Sequence, residues 1–164
     1  MKILDRLNKA RKNNKGFTLV ELIVVLVILA ILAAILVPAL LGYIDRAKES
    51  QYELEAKAVL TAMQGEASRM YANATPGSSL SEDSFYGDDG NLNTYGTLVQ
   101  NTADVTDLEI NAITTQTPPD GATAIQTLHS NYTIVGVDIT FTSASGVTVN
   151  CVLADNAWIC TVDE

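Results

Sequence analysis

The stretch that decides the fold is residues 22–41, LIVVLVILAILAAILVPALL, which holds no charged side chain and no side chain that forms hydrogen bonds. As an α-helix, a stretch of this length rises about 30 Å, roughly the thickness of the hydrocarbon core of a bilayer. A helix that is apolar on every face has to be buried in lipid or among other helices. The rest of the chain is too small and too polar to surround it, so the sequence predicts a membrane helix rather than the core helix of a soluble protein.

Charge is distributed unevenly on the two sides of this stretch. The 164 residues include ten basic and 19 acidic side chains, for a net charge of -9. Residues 1–16 nevertheless carry six of the ten basic residues and a net charge of +5, which leaves -14 on the remainder. The positive-inside rule therefore places residues 1–16 in the cytoplasm and the acidic part across the membrane. The acidic balance argues against direct binding of nucleic acid.

A cleaved secretory signal is a second interpretation of this N-terminus. Such signals have a basic start, but their apolar region usually spans about 7–15 residues and ends in an A-x-A-like site. Here the apolar run is longer, and residues 42–46, GYIDR, match such a site poorly. A retained helix is the better prediction.

Glu21 is a carboxylate close to the cytoplasmic edge of the run, after Phe17, Leu19 and Val20. A charge at the centre of a membrane helix costs about 2.5–3.5 kcal/mol on insertion scales, and less near the interface. One interpretation is an interfacial carboxylate with a modest penalty. The functional interpretation is a carboxylate that waits for a cation.

Residues 15–38, KGFTLVELIVVLVILAILAAILVP, resemble the N-terminus of a type IV pilin precursor. The resemblance implies that a prepilin peptidase cleaves between Gly16 and Phe17 and that Phe17 becomes N-methylated. It implies that Glu21, the fifth residue of the mature chain, acts in assembly and that Pro38 interrupts the helix. The leader of 16 residues is longer than that of many members, which leaves the subclass open.

Cleavage would create a charged amine on Phe17, one helical turn from Glu21. It would also remove the basic tail that anchors the chain, because pulling several Lys and Arg side chains through lipid is costly. In a filament, the Phe17 amine of one subunit is then expected to pair with Glu21 of a neighbour. A carboxylate without a partner is heavily penalised in a low-dielectric bundle, so this pair would set axial register more than add stability.

Pro38 has two open interpretations. It lacks an N–H and its ring crowds the carbonyl of Ala34. Membrane helices tolerate the resulting mild kink, whereas the resemblance implies local unwinding in the fibre. Gly42, one turn later, adds backbone freedom.

The helix is expected to continue over residues 43–73, which contain no proline and only one glycine, Gly65. Its apolar stripe is predicted to comprise Ile44, Ala47, Leu54, Ala58 and Ala62, flanked by Val59, Met63, Ala67, Met70 and Tyr71. The opposite face is predicted to carry Lys48, Glu49, Glu53, Lys57 and Glu66, with Glu53 and Lys57 forming an i,i+4 pair. Residues 75–77, Thr-Pro-Gly, mark its end.

Alternation with period two begins at Tyr132 and predicts antiparallel hairpins. The first strand is expected to turn one set of side chains to a common face, namely Val135, Val137, Ile139 and Phe141. Residues 142–146 form a predicted five-residue turn, followed by a strand with Val147, Val149, Cys151 and Leu153 on one face.

A two-residue turn at Asp155-Asn156 sets the register of the last hairpin. It places Cys151 opposite Cys160, with Leu153 opposite Trp158 and Val149 opposite Val162. These are non-hydrogen-bonded pairs, whose Cα atoms lie about 4.5 Å apart, within the range of a disulfide. We therefore predict a Cys151–Cys160 bridge, in preference to two reduced core cysteines, because the part across the membrane is in an oxidising location.

Residues 74–131 are a polar connection in which residues 98–99 and 108–113 indicate short elements of unassigned type. Residues 118–121, PPDG, predict a turn. The acidic residues around Gly90 do not match the EF-hand loop, so we expect a solvated turn there. His129, the one histidine, is expected on the surface or in a turn. We expect no catalytic residue, no metal site and no cofactor.

The sequence predicts an α+β, pilin-like fold in five segments: 1–16, a cleaved basic leader; 17–42, a transmembrane and filament-core helix; 43–73, its amphipathic continuation; 74–131, the polar connection; and 132–164, disulfide-linked hairpins. The expected function is a structural subunit of an extracellular type IV pilus for motility, adhesion or surface attachment. The alternatives are a pseudopilin of a type II secretion or DNA-uptake system and, from another class, a single-pass membrane-anchored binding protein or enzyme. Expected partners are copies of the chain and related pilins, the prepilin peptidase, the assembly platform with its ATPase, and the membrane before assembly.

Overall fold

The computed structural model describes residues 17–162, which divide into two units at the boundary between Asp45 and Arg46. The helices are α1 (Leu19–Ala72), α2 (Thr94–Ala103) and α3 (Ala124–Asn131), with a short 3₁₀ helix at Glu82–Phe85. The strands are β1 (Thr106–Thr115), β2 (Ile134–Thr142), β3 (Thr148–Ala154) and β4 (Ala157–Val162). The predicted α+β fold, with a long N-terminal helix and a small antiparallel sheet, is confirmed.

The first unit contains the apolar part of α1. From Leu19 to Ile44, the large apolar side chains of this helix are 43–73% exposed. Within the described residues, α1 is the helix that is long and apolar enough to cross a membrane, and no residue of its most apolar window is buried. So much exposed apolar surface is costly in water, at about 25 cal/mol per Å², and therefore needs lipid or other protein against it.

The second unit packs the outer part of α1 against the sheet. Val59 and Met63 of the helix and Ile139, Phe141 and Val149 of the sheet are fully buried in one hydrophobic core. At one end of this contact, the side chain of Gln64 donates to the Tyr132 carbonyl at 3.0 Å and accepts from the Ile134 N–H at 2.9 Å. These two hydrogen bonds fix the helix beside the start of β2.

The buried face of α1 differs from the predicted one. The centre of the buried face runs through Val59 and Met63, which were predicted to flank the apolar stripe. The buried face begins at Tyr52, which is 6% exposed. By contrast, Leu54 is 66% exposed, and Ala58, Ile44 and Ala47 are exposed as well. The prediction was wrong because the helix period alone does not define which face the sheet covers, and it left out Tyr52, which belongs to the core.

Glu66 was predicted on the solvent side and is buried instead, at 7% exposure. Its carboxylate lies 3.2 Å from Nη1 of Arg69, and this partner makes the burial of the charge tolerable. The predicted pair between Glu53 and Lys57 is confirmed, with Oε2 and Nζ 3.2 Å apart.

The sheet has the strand order β1-β2-β3-β4, with every neighbouring pair antiparallel. The predicted register of the last hairpin is confirmed: Cys151 pairs with Cys160, Leu153 with Trp158 and Val149 with Val162. Asp155 and Asn156 have φ values of 51° and 63°, as a type I′ turn requires. The preceding loop lies one residue later than predicted, since Thr142 still pairs with Thr148.

β2 contains a bulge that the period-two pattern did not reveal. Thr114 pairs with Gly136 and Thr115 with Ile134, which leaves Val135 without a partner on β1. A bulge residue reverses the alternation of side chains along its strand. Accordingly, Ile134 is buried and Val135 is 46% exposed, so the prediction that Val135 shares the inner face was wrong.

The connection at residues 74–131 is more ordered than the sequence indicated. Residues 98–99 lie in α2, where Val99 is fully buried, and residues 108–113 lie in β1, where Leu108 and Ile110 are 3% and 4% exposed. The predicted turn at residues 118–121 is present and is closed by a bond from the Ala122 N–H to the Pro119 carbonyl. His129 is exposed, as predicted, although it lies in α3.

The acidic turn around Gly90 is organised by its own hydrogen bonds. The Asn91 side chain and N–H donate to the two carboxylate oxygens of Asp89 at 3.0 and 3.1 Å. These bonds hold the pKa of Asp89 below its ordinary value, the side-chain bond being the larger cause. Asp89 is therefore a solvated carboxylate with a local partner.

Candidate functional site

Thr18, which immediately precedes α1, and Glu21, in the first turn of α1, form a hydrogen-bonded cap at the start of the helix. Oε2 of Glu21 accepts from the Thr18 N–H at 2.9 Å and from the Thr18 hydroxyl at 2.8 Å. The Thr18 hydroxyl oxygen accepts in turn from the Glu21 N–H at 3.2 Å. This reciprocal arrangement is a capping box, in which a threonine and a glutamate satisfy each other's backbone N–H groups at the start of a helix.

The capping partner of Glu21 was missed by the sequence analysis. The signal that identifies Thr18 is the spacing Thr-x-x-Glu before an apolar run, which is the sequence pattern of a capping box. Carboxylates are also favoured at helix N-termini by the helix dipole. Local helix chemistry thus gives Glu21 a position and a partner without any second subunit.

The cap leaves one oxygen of Glu21 available. Both bonds from Thr18 go to Oε2, and among the described residues no hydrogen bond reaches Oε1. Glu21 is itself exposed, as is Phe17 at 84%. An ionised carboxylate accepts through both oxygens, so Oε1 can take an ammonium group while Oε2 stays on Thr18.

The predicted cleavage site straddles the start of the described chain. Phe17 is the first described residue, and Gly16 lies outside the described residues. Cleavage between them and N-methylation of Phe17 therefore remain predictions.

Pro38 and Gly42, the predicted helix interruption, both lie inside α1. The helix is continuous across both positions. A Cβ at Gly42 would meet nothing within 4 Å. Unwinding at these residues in a fibre remains a prediction about the assembled state.

The second unit contains the cysteine pair. Cys151 and Cys160 form a disulfide across β3 and β4, with their Cα atoms 4.1 Å apart. Cys151 is fully buried in the core, so the bridge joins edge strand β4 to the packed interior. Such bridges form and persist in oxidising compartments, which fits a location outside the cytoplasm. Within residues 17–162, no group of three or more His, Cys, Asp or Glu side chains is arranged to hold a metal ion.

Comparison with protein families finds one motif at this end of the chain. The prokaryotic N-terminal methylation motif matches residues 11–37, less than half of the chain, and this range includes Gly16, Phe17 and Glu21. No curated protein and no solved structure shows a significant match. The chain thus carries the N-terminal methylation motif together with a long apolar helix and a small antiparallel sheet, and this motif supports its membership of the type IV pilin and pseudopilin family.

Proposed function

We propose that the chain is the structural subunit of a type IV pilus. A prepilin peptidase would remove residues 1–16 and N-methylate Phe17, and the mature chains would polymerise through the apolar part of α1 into an extracellular filament. The observation that carries the proposal is the methylation motif at residues 11–37, placed on a helix whose apolar side chains are uncovered.

The exposed apolar surface of α1 supports polymerisation, because this surface must be covered by lipid in the precursor and by other subunits after cleavage. In the precursor, lipid covers the apolar part of α1 and the basic leader keeps the chain anchored on the cytoplasmic side. After cleavage, the same surface is covered by the helices of other subunits, and the cost of moving several Lys and Arg side chains through lipid no longer applies. The helix can then leave the bilayer for the filament core.

The geometry of Glu21 supports a role in subunit register. Its carboxylate is held in one place by Thr18, with Oε1 free to accept from the Phe17 amine of a neighbour. A charged group that lies in an apolar bundle without its partner carries a large free-energy cost. Subunits that slip out of register would leave Glu21 without the amine and would therefore be disfavoured. The pair would therefore select one axial offset between neighbouring subunits.

The second unit and the assembly machinery would lie outside the filament core. The acidic second unit, locked by its disulfide, would lie on the outside of the fibre. Assembly would need the platform and ATPase of the pilus machinery, and related pilins would share the filament. Attachment, adhesion and twitching motility are the activities such a fibre can serve.

A pseudopilin of a type II secretion or DNA-uptake system is the second candidate, because the same motif supports it equally. The two proposals differ in the product. A pilus subunit builds long surface fibres that contain this chain, whereas a pseudopilin builds short assemblies inside the envelope. A membrane-anchored enzyme or binding protein would instead retain residues 1–16.

The test compares the incorporation of variants into fibres sheared from cells that express the full chain. We expect Glu21→Ala subunits to be strongly depleted from fibres when they are coexpressed with wild-type subunits. Glu49→Ala, which removes an exposed acid from the same helix, is the matched control and should be incorporated normally. If Glu21→Ala subunits are incorporated as well as wild-type subunits, the register role is rejected. If cells that express only the wild-type chain produce no surface fibres, the pseudopilin is favoured.

A further inference from the structure

The two edge strands of the sheet differ in whether side chains bind their outward-facing backbone groups. On edge strand β1, the Leu108 N–H donates to the side-chain oxygen of Gln100 at 3.1 Å, and the Ile110 N–H donates to the Tyr86 hydroxyl at 2.8 Å. Side chains from α2 and from the residue after the 3₁₀ helix thus occupy backbone groups that an edge strand would otherwise present. Such covering is one way in which proteins prevent strands of other chains from pairing with an edge.

Edge strand β4 has no such cover among residues 17–162. The two-residue turn makes Ala154 and Ala157 a hydrogen-bonded pair, and alternation then directs Ala157, Ile159 and Thr161 toward β3. The N–H and C=O groups of the intervening residues, Trp158, Cys160 and Val162, point away from the sheet. Within the described residues, none of these six groups takes part in a hydrogen bond.

β4 also lacks the features that usually protect an open edge. Residues 157–162, AWICTV, contain no charge and no proline, and their register with β3 has no bulge. Ile159 is 64% exposed and Val162 is 46% exposed. The disulfide holds the strand against β3, so the edge is presented in a fixed conformation.

We propose that β4 pairs antiparallel with β4 of a second copy of this chain, about a two-fold axis at Cys160. In this register Cys160 lies opposite Cys160, and Trp158 lies opposite Val162 of the second copy. The residues that point outward on one strand meet those on the other, so the free groups of both strands are satisfied by six hydrogen bonds. A pairing centred on Ile159 or Thr161 would match only two of the three outward-pointing residues on each strand and would form four hydrogen bonds.

Two observations favour a second copy as the occupant. The first is side-chain complementarity: the half-exposed Val162 is covered by Trp158 of the other copy, and aromatic side chains opposite β-branched ones stabilise strand pairs. The second is charge. Residues 17–164 carry a net charge of -14, which makes copies repel each other, whereas β4 is an uncharged strip six residues long where two copies can meet. This interface does not depend on leader cleavage.

The test uses the full-length precursor in membranes of cells without prepilin peptidase, so that filament assembly plays no part. A photo-cross-linking amino acid, p-benzoylphenylalanine, replaces Ile159, and two differently tagged versions of the chain are coexpressed. We expect a cross-linked dimer that carries both tags, with the attachment at Thr161 or its neighbours in the other copy. The same probe at Glu109, on the covered edge strand, should give no such dimer.

Substitutions on the pairing strand provide the second measurement. Thr161→Lys places two like-charged side chains beside the axis and should lower the cross-linked fraction about tenfold. Val135→Lys, at an exposed position on β2, is the control and should leave the fraction unchanged. The proposal is overturned if only monomer is found, if the attachment lies outside β4, if another protein is cross-linked instead, or if Thr161→Lys has no effect.

Discussion

Glu21 accepts hydrogen bonds from both the N–H and the hydroxyl of Thr18, at 2.9 and 2.8 Å, through a single carboxylate oxygen. The residue that the family resemblance marks for assembly is therefore also a helix cap. The two roles are compatible because they use different oxygens. The cap positions the carboxylate before any neighbour arrives, which lowers the entropy lost when the intersubunit pair forms.

Replacing Thr18 with valine should loosen the first turn of α1. The substitution removes the hydroxyl that binds both the Glu21 carboxylate and the Glu21 N–H, and the loss of an N-cap side chain costs about 0.5–2 kcal/mol. We expect faster amide hydrogen exchange at Glu21 and Leu22, measured by NMR on the full chain in detergent micelles. Thr61→Val is the control, because that hydroxyl bonds only the Lys57 carbonyl further along the helix. Unchanged exchange in Thr18→Val would show that the cap does not hold the turn.

Two glycine substitutions should change stability in opposite directions. A Cβ at Gly96 would lie 2.4 Å from the Phe85 carbonyl oxygen and 2.7 Å from Cδ2 of Leu92, so Gly96→Ala should destabilise the second unit by about 1–3 kcal/mol. A Cβ at Gly65, inside α1, meets nothing within 4 Å, so Gly65→Ala should stabilise it by about 0.5–1 kcal/mol.

The measurement is the unfolding midpoint of the full chain in detergent, followed by circular dichroism. A stable Gly96→Ala variant would mean that α2 does not pack against the 3₁₀ helix as closely as the structure shows. A destabilised Gly65→Ala variant would mean that the face of α1 around Gly65 is covered rather than open.

Removing the disulfide should destabilise the last hairpin. The bridge closes a short loop, with its cysteines at a sequence separation of 9, and its contribution is expected to be about 2–3 kcal/mol. We expect the double variant Cys151→Ala, Cys160→Ala to unfold at a lower midpoint, and the wild-type chain to shift by a similar amount in reductant. A titration that finds two free thiols in the unfolded, non-reduced chain would contradict the bridge.

The parts of the fold that were predicted from sequence are those fixed by local rules. The apolar run at residues 22–41 required a helix, and the turn at Asp155-Asn156 fixed the register that brought Cys151 opposite Cys160. In a two-residue hairpin, the turn alone decides which residues face each other. No information from the rest of the chain was needed.

The parts that were missed depend on contacts between distant segments. β1 was not recognised because its partner is β2, and two of its N–H groups are satisfied by Gln100 and Tyr86. The bulge at Val135 arises from the same pairing and reverses the local alternation. The buried face of α1 is chosen by the sheet that covers it, which the helix period alone does not define.

The candidate site was predicted in its composition and missed in its local geometry. Glu21 stood out because a carboxylate beside a long apolar run is costly, and Gly16 and Phe17 stood out through the family resemblance. Thr18 did not stand out, because a threonine at that position carries no comparable penalty. Its capping role is nevertheless indicated by the Thr-x-x-Glu spacing ahead of the apolar run, a local signal that is independent of any cost of burial.

The most direct test of the account is the mass and N-terminal sequence of the mature chain, isolated from cells with prepilin peptidase and compared with chain from cells that lack it. We predict a mature chain that begins at Phe17, one methyl group heavier than the unmodified residue, and a full-length chain when the peptidase is absent. A mature chain that still begins at Met1 in the presence of the peptidase would contradict processing, and with it the proposed release of the helix from the membrane.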